Sequence, residues 1–418
     1  MKITGGQQLV KRINRSALLR LMRKHPGLSR AQLALHSGLT KSTVGQLVRE
    51  LIEEGWLTQA VLSPQAPSMA AGQGRPSTPL FIDNVNRGLL GIEIGVDCLR
   101  LAWTSLQGDV RWSVDTKLLS KAPALVCQQV ASLVAQALVR MQLSGVLLTG
   151  IGVGLPGVFD ENTGLVRFAP NLGWRNVELL PLLLDALAAE GVVDISVYIQ
   201  NEADTAALSE YEFIRNTPAP AVEPEQSNAS SLIFVNCDVG VGAGIVLNDS
   251  LFTGAQGMAG EIGHSILQIG GLLCSCGRRG CAETLIGFNA LPAAGSSTPD
   301  TSGHYLGVLL QNLWTTFNPH KLVVGGPTCI GQSIRVQDAQ DTLDAYARSA
   351  GMVAPVVQVA RYGLLAAAVG AAALVLHHLL RPVQHSDERQ RIRLSAQSPL
   401  AAKQTPGQQQ PDVCNESA

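Results

Sequence analysis

One histidine and three cysteines, His264, Cys274, Cys276 and Cys281, fall within eighteen residues of the stretch GEIGHSILQIGGLLCSCGRRGCAE, residues 260 to 283. Three thiolates and an imidazole form a Cys₃His donor set, which suits a structural, tetrahedral zinc with no position open to water. Gly277 and Gly280 sit between the second and third cysteines, where a metal knuckle must turn its backbone sharply. The plain alternative is a group of buried free thiols, since cysteine packs as a small hydrophobe. Two thiols one residue apart, a third behind a Gly-x-x-Gly turn and a histidine upstream argue for the metal. Two carboxylates flank the set, Glu261 three residues before His264 and Glu283 two after Cys281. Either alone would be an ordinary solvated glutamate. A knuckle clamped by zinc would instead hold both in place to accept hydrogen bonds from a polar ligand.

The chain around this knuckle is long enough for several cores. At 418 residues and 46% apolar content it exceeds a single domain and suggests two or three. Eight cysteines without a signal-peptide pattern point to a reducing cytoplasm, where clustered thiols bind metal. The longest apolar run, Leu364 to Leu376, is short for a bilayer and rich in small residues, so it is expected as a buried helix with no membrane partner. The net charge of −1 conceals an asymmetry, because residues 1–60 hold ten Lys and Arg against three acidic residues. A basic head on an acidic body points to nucleic acid at one end.

In that head, residues 1–12 are expected as a loose arm. Ile13, Ala17, Leu18, Leu21 and Met22 have helical spacing and stop before Pro26-Gly27. A second helix opens at Ser29 with Gln32 completing a capping box, and closes at Gly38. A third opens at Thr40 and runs to Gly55. Helix, glycine-bearing turn and helix form a helix-turn-helix, whose second helix enters the DNA major groove. Its start exposes Lys41, Ser42, Thr43 and Gln46, while Arg30 and the basic residues of the first helix are placed to reach phosphates. A plain three-helix bundle with a solvated polar face is the alternative. Trp56, Leu57 and Thr58 begin a wing strand. Residues 63–79, rich in Pro, Gly, Ser and Ala, form a linker or wing tip. Within it, Gly74-Arg75-Pro76 is either a solvated turn or a motif that lays Arg75 into a narrow minor groove.

Beyond the linker, apolar strands begin at Gly91 and Leu99, and a further strand from Gly150 to Val158 contains a Pro-Gly turn. Val192 to Ile199 leads into Asn201-Glu202-Ala203-Asp204 and a helix from Thr205 to Phe213. Leu232 to Val235 and Gly244 to Leu247 form a hairpin, and Leu322 to Gly326 is a strand ending in two glycines. Alternating strands and helices make an α/β body. Residues 383–418, rich in Gln, Ser and Pro, are expected to be disordered.

GEIGH followed by CSCGRRGCAE resembles the signature of the ROK family, which contains sugar-responsive repressors of the xylose- and N-acetylglucosamine-repressor kind and sugar kinases. The resemblance covers roughly residues 84–380 and implies a two-lobed, actin-like body with the ligand between its lobes. With the head it gives this organisation: a winged helix-turn-helix at 1–62, a linker or wing at 63–83, the sugar-binding body at 84–381 and a tail at 382–418. It also implies that His264, Cys274, Cys276 and Cys281 bind zinc. Gly157, Asn171, Asn201, Glu261, His264 and Glu283 match positions that line the sugar pocket, with Glu202 as a further acceptor. Kinases of the family use phosphate loops resembling D-I-G-G-T and G-T-G-I-G and an aspartate base. Here the loops run Glu93 to Asp97 and Asp238 to Gly242, and Glu202 stands at the base position. Carboxylates of Asp97 and Asp238 would face a polyphosphate, and two like charges about 4 Å apart repel by roughly 4 kcal/mol at intermediate dielectric. The expectation is therefore a non-enzymatic, cytoplasmic repressor. It would bind an operator as a homodimer or homotetramer and be controlled by a small carbohydrate. A sugar kinase with a regulatory head is the alternative, and a protein partner that sets repression is a third possibility.

Overall fold

The head assembles from signals close together in sequence. The chain is described here by a computed structural model covering residues 6–59, 78–161, 163–213, 231–292 and 299–381. Helices α1 (Gln7–Lys24), α2 (Arg30–Ser37) and α3 (Lys41–Glu53) precede strands β1 (Leu57–Gln59) and β2 (Leu80–Ile82). Ser29 and Gln32 exchange both bonds of the capping box at the start of α2, and Gly38 ends it in the left-handed conformation. Thr40 caps α3 by accepting the Thr43 amide at 3.2 Å. Helix α1 starts at Gln7, well before the expected Ile13, because its polar first turns are held from outside. Lys11 lies 2.9 Å from Glu50, and Arg15 pairs with Glu54. Strand β2 pairs antiparallel with β1, Leu57 opposite Ile82, so residues 80–82 complete the head instead of ending a linker. Arg75 and the tail from residue 382 lie outside the described residues.

The body contains the same strand order twice. The first sheet comprises β3 (Arg87–Ile94), β4 (Cys98–Ser105), β5 (Val110–Lys117), β6 (Leu147–Leu155) and β10 (Val197–Asn201) in the order β10-β6-β3-β4-β5. Helix α4 (Pro123–Leu143) follows β5. A small sheet of β7 (Val158–Asp160), β8 (Leu165–Ala169) and β9 (Trp174–Val177), then α5 (Leu179–Ala189), separate β6 from β10. Helix α6 (Glu202–Glu212) closes this half. The second sheet comprises β11 (Leu232–Cys237), β12 (Val241–Leu247), β13 (Ser250–Leu251), β14 (Lys321–Gly325) and β15 (Val357–Val359), in the order β13-β12-β11-β14-β15. Helices α7 (Glu283–Ile286), α8 (Ser302–Phe317), α9 (Ser333–Ser349) and α10 (Ala366–Leu380) complete the second half. In both halves the first strand is central, with strands two and three on one side and four and five on the other. The near-continuous apolar runs of β3, β6 and β11 are buried on both faces, as strands covered by helices must be.

The closing helices are exchanged between the halves. Helix α10 lies on the first sheet, where methyl groups added to Gly91 and Gly152 would strike the Ala368 and Ala371 carbonyls. Helix α6 lies on the second sheet, with its Ala203 carbonyl against Gly244. The two cross where Gly370 meets the Thr205 carbonyl. Among the described residues, two segments, Pro123–Leu143 and Gly363–Leu380, are long and apolar enough to cross a membrane. The second is 78% buried within the fold, as expected of a core helix.

Two glycine substitutions separate close approach from helix propensity. Gly370→Ala forces a methyl into the Thr205 backbone and should cost about 1–3 kcal/mol or more. Gly45→Ala in α3 meets open space and should stabilise the helix by up to about 1 kcal/mol. Urea unfolding midpoints of both variants check this. Equal midpoints would refute the bare-backbone crossing.

Candidate functional site

The two halves enclose a cavity of about 550 Å³. Gly157, Asn171, Asn201, Glu202, Glu261, His264 and Glu283, scattered over more than a hundred positions of sequence, all line it. Asn201 ends β10 and caps α6, accepting the Ala203 amide at 2.7 Å, which is why that helix begins at Glu202 and not at Thr205. Its Nδ2 donates to the Gly157 carbonyl at 2.9 Å, so one amide hydrogen and one lone pair remain for a ligand. Gly157 has φ +107°, and a Cβ there would strike the Phe168 carbonyl and Ala169. Its glycine is therefore required by the adjoining β8. Asn171 lies in a short 3₁₀ turn, Pro170–Leu172, whose carbonyl at Asn171 accepts Lys121 Nζ at 3.1 Å.

The acids of the cavity are held in an unfavourable environment for charge. Burial, together with the nearby Glu93 and Asp238, raises Glu202 to about 8. Burial likewise raises Glu93 to about 7 against the pull of Arg100, which lies 2.9 Å away. Burial raises Glu261 as well, with His264 opposing. Of the two loop aspartates expected to face a polyphosphate, Asp238 stands among these acids. Asp97 does not: its side chain is 81% exposed and lies 3.6 Å from Lys121 Nζ. The acid facing Glu202 from the first loop is Glu93, which sequence reasoning passed over as the opening residue of its loop. An acid at the end of a two-sided apolar strand was the available signal.

His264, Cys274, Cys276 and Cys281 present ligand atoms all within 4.8 Å of one another. Cys276 and Cys281 Sγ lie 3.7 Å apart, the edge expected of a tetrahedron with ligand bonds of about 2.3 Å. His264 Nδ1 is 3.7 Å from Cys274 Sγ, and its Nε2 is 3.9 Å from Glu261 Oε2. One ring nitrogen thus faces the thiols and the other faces the cavity. Gly277 and Gly280 both have positive φ, +86° and +76°, as the knuckle turn requires. These four residues fit a tetrahedral metal ion.

On the head, Lys41, Ser42 and Gln46 are exposed on α3 and Thr43 is half-buried. The Thr40 hydroxyl ties Ser42 and Thr43 at 2.9 and 2.8 Å, and Gln46 Nε2 reaches Glu50 at 3.3 Å. Arg30 is half-buried at the start of α2. Arg49 shares an exposed face of α3 with Ser42 and Gln46 and was missed, although its i+3 spacing from Gln46 gave it away. Of the basic residues of α1, Lys11 pairs with Glu50 of α3 and Arg15 with Glu54 just past its end.

A sequence profile of the ROK family matches residues 89–302, and one of the IclR helix-turn-helix domain matches residues 16–60. The putative xylose repressor of Caldicellulosiruptor sp. is 32% identical over 289 residues, 69% of this chain and 67% of that protein. The glucokinase of Halalkalibacterium halodurans is 27% identical over 303 residues, 63% of this chain and 87% of that protein. A solved ROK family transcriptional regulator, a homolog of the Escherichia coli MLC protein, superposes with a TM-score of 0.68 at 21% identity. That match covers 89% of this chain and 98% of the regulator and shows a shared fold.

The raised acids give a pH dependence of known sign. Glu202 binds its proton more tightly folded than unfolded, so stability falls as pH rises from about 4.5 towards about 8. Glu202→Gln should remove that component. Between about pH 5 and about pH 8.5 the variant should lose less stability than the wild type by about 1 kcal/mol or more, one pKa unit being about 1.4 kcal/mol. Urea midpoints at the two pH values measure it, and parallel losses would contradict the burial of this carboxyl.

Proposed function

Because this chain belongs to the ROK family, we propose that it is a transcriptional repressor whose head binds operator DNA and whose cleft holds the small carbohydrate that controls that binding. One observation carries the reading: a cavity lined by amide and carboxyl groups suited to hydroxyls lies in a chain that also bears a helix-turn-helix. A repressor name in the 32% identical relative supports it. That relative makes D-xylose the first sugar to test, with hexoses and N-acetyl-D-glucosamine after it.

In this reading Asn171, Asn201, Glu261, His264 and Glu283 bind the sugar hydroxyls, and Gly157 closes the wall beside them. Glu202, neutral near pH 7, donates a hydrogen bond. A neutral Glu202 and acids on the phosphate side oppose phosphoryl transfer, so the protein acts without catalysis. Zinc is the metal of the His264, Cys274, Cys276 and Cys281 set. It ties the segment bearing Glu261 to the segment bearing Glu283. Lys41, Ser42, Thr43, Gln46 and Arg49 face the major groove, and Arg30 and Arg75 contact the backbone or minor groove. The head comprises residues 1–62 with the returning strand 80–82, and the body residues 84–381. Two half-sites one helical turn apart call for a homodimer or a higher homo-oligomer, working in the cytoplasm.

A thermal-shift panel of sugars tests the central claim, since a ligand at 100 times its Kd stabilises by about 2.7 kcal/mol. ATP turnover on the same sugars would favour the kinase reading, to which the glucokinase relative lends its weight. For the head, replacing Lys41, Ser42, Thr43 and Gln46 together by alanine should abolish specific DNA binding. Gln46→Ala alone should cost about 1–3 kcal/mol at one base pair per half-site. Wild-type affinity of the quadruple variant in a gel-shift assay would refute the assignment.

For the metal, Cys276→Ser should carry less than one zinc per chain by elemental analysis and lose stabilisation by the sugar that stabilises the wild type. A variant with full zinc, or a normal sugar response without zinc, would refute the linkage.

A further inference from the structure

Helix α6 has one end in the cavity and the other under the head. Its cap Asn201 and first residue Glu202 line the cleft, and its last residue is Glu212. Glu212 is 5% exposed and gathers three partners, from α1 and from the end of α10. Its carboxylate lies 2.6 Å from Arg381 Nη1, 2.8 Å from His377 Nδ1 of α10 and 2.6 Å from Arg23 Nη1 of α1. Arg23 also donates to the Glu212 backbone carbonyl. Arg381 extends the cluster to Asp249 in the second half, at 3.0 Å. Burial opposes the charge on Glu212, yet Arg381, Arg23 and His377 hold its carboxyl well below the ordinary range. Beside the cluster, Ser16 of α1 donates to the Leu379 carbonyl at 2.9 Å, and the apolar core of the head is continuous with that of α10.

The exchange of closing helices gives this cluster its leverage. Helix α6 rides on the second sheet and α10 on the first. Any closure of the halves about a ligand therefore moves one helix along the other. Close-packed interfaces do not deform continuously but change between discrete arrangements. We infer that Glu212 is the latch between cleft and head. A sugar that draws Asn201 and Glu202 towards Glu261 and Glu283 slides α6 on α10 and changes the grip of Glu212 on Arg23. The angle of α1, and with it α3, then follows the occupancy of the cleft. This inference rests on the repressor reading and adds the residues through which its two sites communicate. Arg23 and Glu212 are positioning residues in it and touch neither ligand.

The experiment measures DNA affinity with and without sugar for the full chain. DNA is selected by the wild type from a random library. The sugar is whichever of D-xylose, D-glucose and N-acetyl-D-glucosamine raises the wild-type melting temperature. Arg23→Gln removes only the head's arm of the cluster, from a side chain 19% exposed. It should bind the sugar within about twofold of wild type, because the cleft is untouched. Its ratio of DNA affinities without and with sugar should fall towards one, losing the roughly 5- to 150-fold range typical of such coupling. Glu212→Gln should do the same, and adding Arg23→Gln to it should change the ratio no further. Arg23→Gln keeps the test open if Glu212→Gln fails to fold. A wild-type ratio in Arg23→Gln would overturn the latch while leaving the repressor reading intact. A wild type whose DNA binding ignores every sugar would overturn both.

Discussion

Where α6 crosses α10, Gly370 lies against the Thr205 carbonyl with no side chain between the helices. That contact fixes how the halves of the body can move. Alanine and glycine dominate α10 from Ala366 to Ala373, and their small side chains let its backbone approach both the first sheet and α6. Each half thus depends on a helix that belongs to the other in sequence. The halves cannot separate without unpacking the core. The cleft beside the crossing is lined by residues of both halves.

On the reading proposed above, the charge of that cleft selects the kind of ligand. Glu93, Glu202 and Asp238 stand close enough to disfavour one another's charge, and the first two are already pushed to about 7 and 8. A polyphosphate brought there would favour their protonated forms further or be repelled by any that ionise, roughly 4 kcal/mol for a charged pair near 4 Å. A neutral hydrogen bond returns about 0.5–1.5 kcal/mol, so several would be needed to offset one such repulsion. A neutral polyol faces no such penalty. In the proposed reading it takes hydrogen bonds from Asn171 and Asn201 and gives them to Glu261 and Glu283, all of which line the cavity.

Legibility in the sequence followed the distance over which each feature is specified. The capping box of Ser29 and Gln32, the cap at Thr40 and the knuckle turn at Gly277 and Gly280 are local, and each appears where its spacing placed it. Glu261, His264 and Glu283 lie in one long signature, whereas Gly157, Asn171, Asn201 and Glu202 were legible only through the family resemblance that signature supports. The early start of α1 was hidden because distant acids, Glu50 and Glu54, support it. The start of α6 at Glu202 depended on whether Asn201 capped it or preceded a turn. Glu93 was overlooked because its meaning depends on Glu202 and Asp238, which are far away in sequence. The repeated strand order was invisible for the same reason, since the halves keep their topology without a shared residue pattern.

The same distinction explains the head. Its excess of basic residues pointed to nucleic acid, and the fold divides those residues by task. Lys11 and Arg15 tie α1 to α3, and Arg23 ties α1 to the body. Each phosphate neutralised contributes about −0.9 to the slope of log affinity against log salt, so residues held by internal acids add little to that slope. The charge left on the outer face of α3, Lys41 and Arg49, flanks the hydrogen-bonding side chains of Ser42 and Gln46. The basic residues that looked like excess DNA affinity are, in part, the fasteners that set the angle at which α3 is presented.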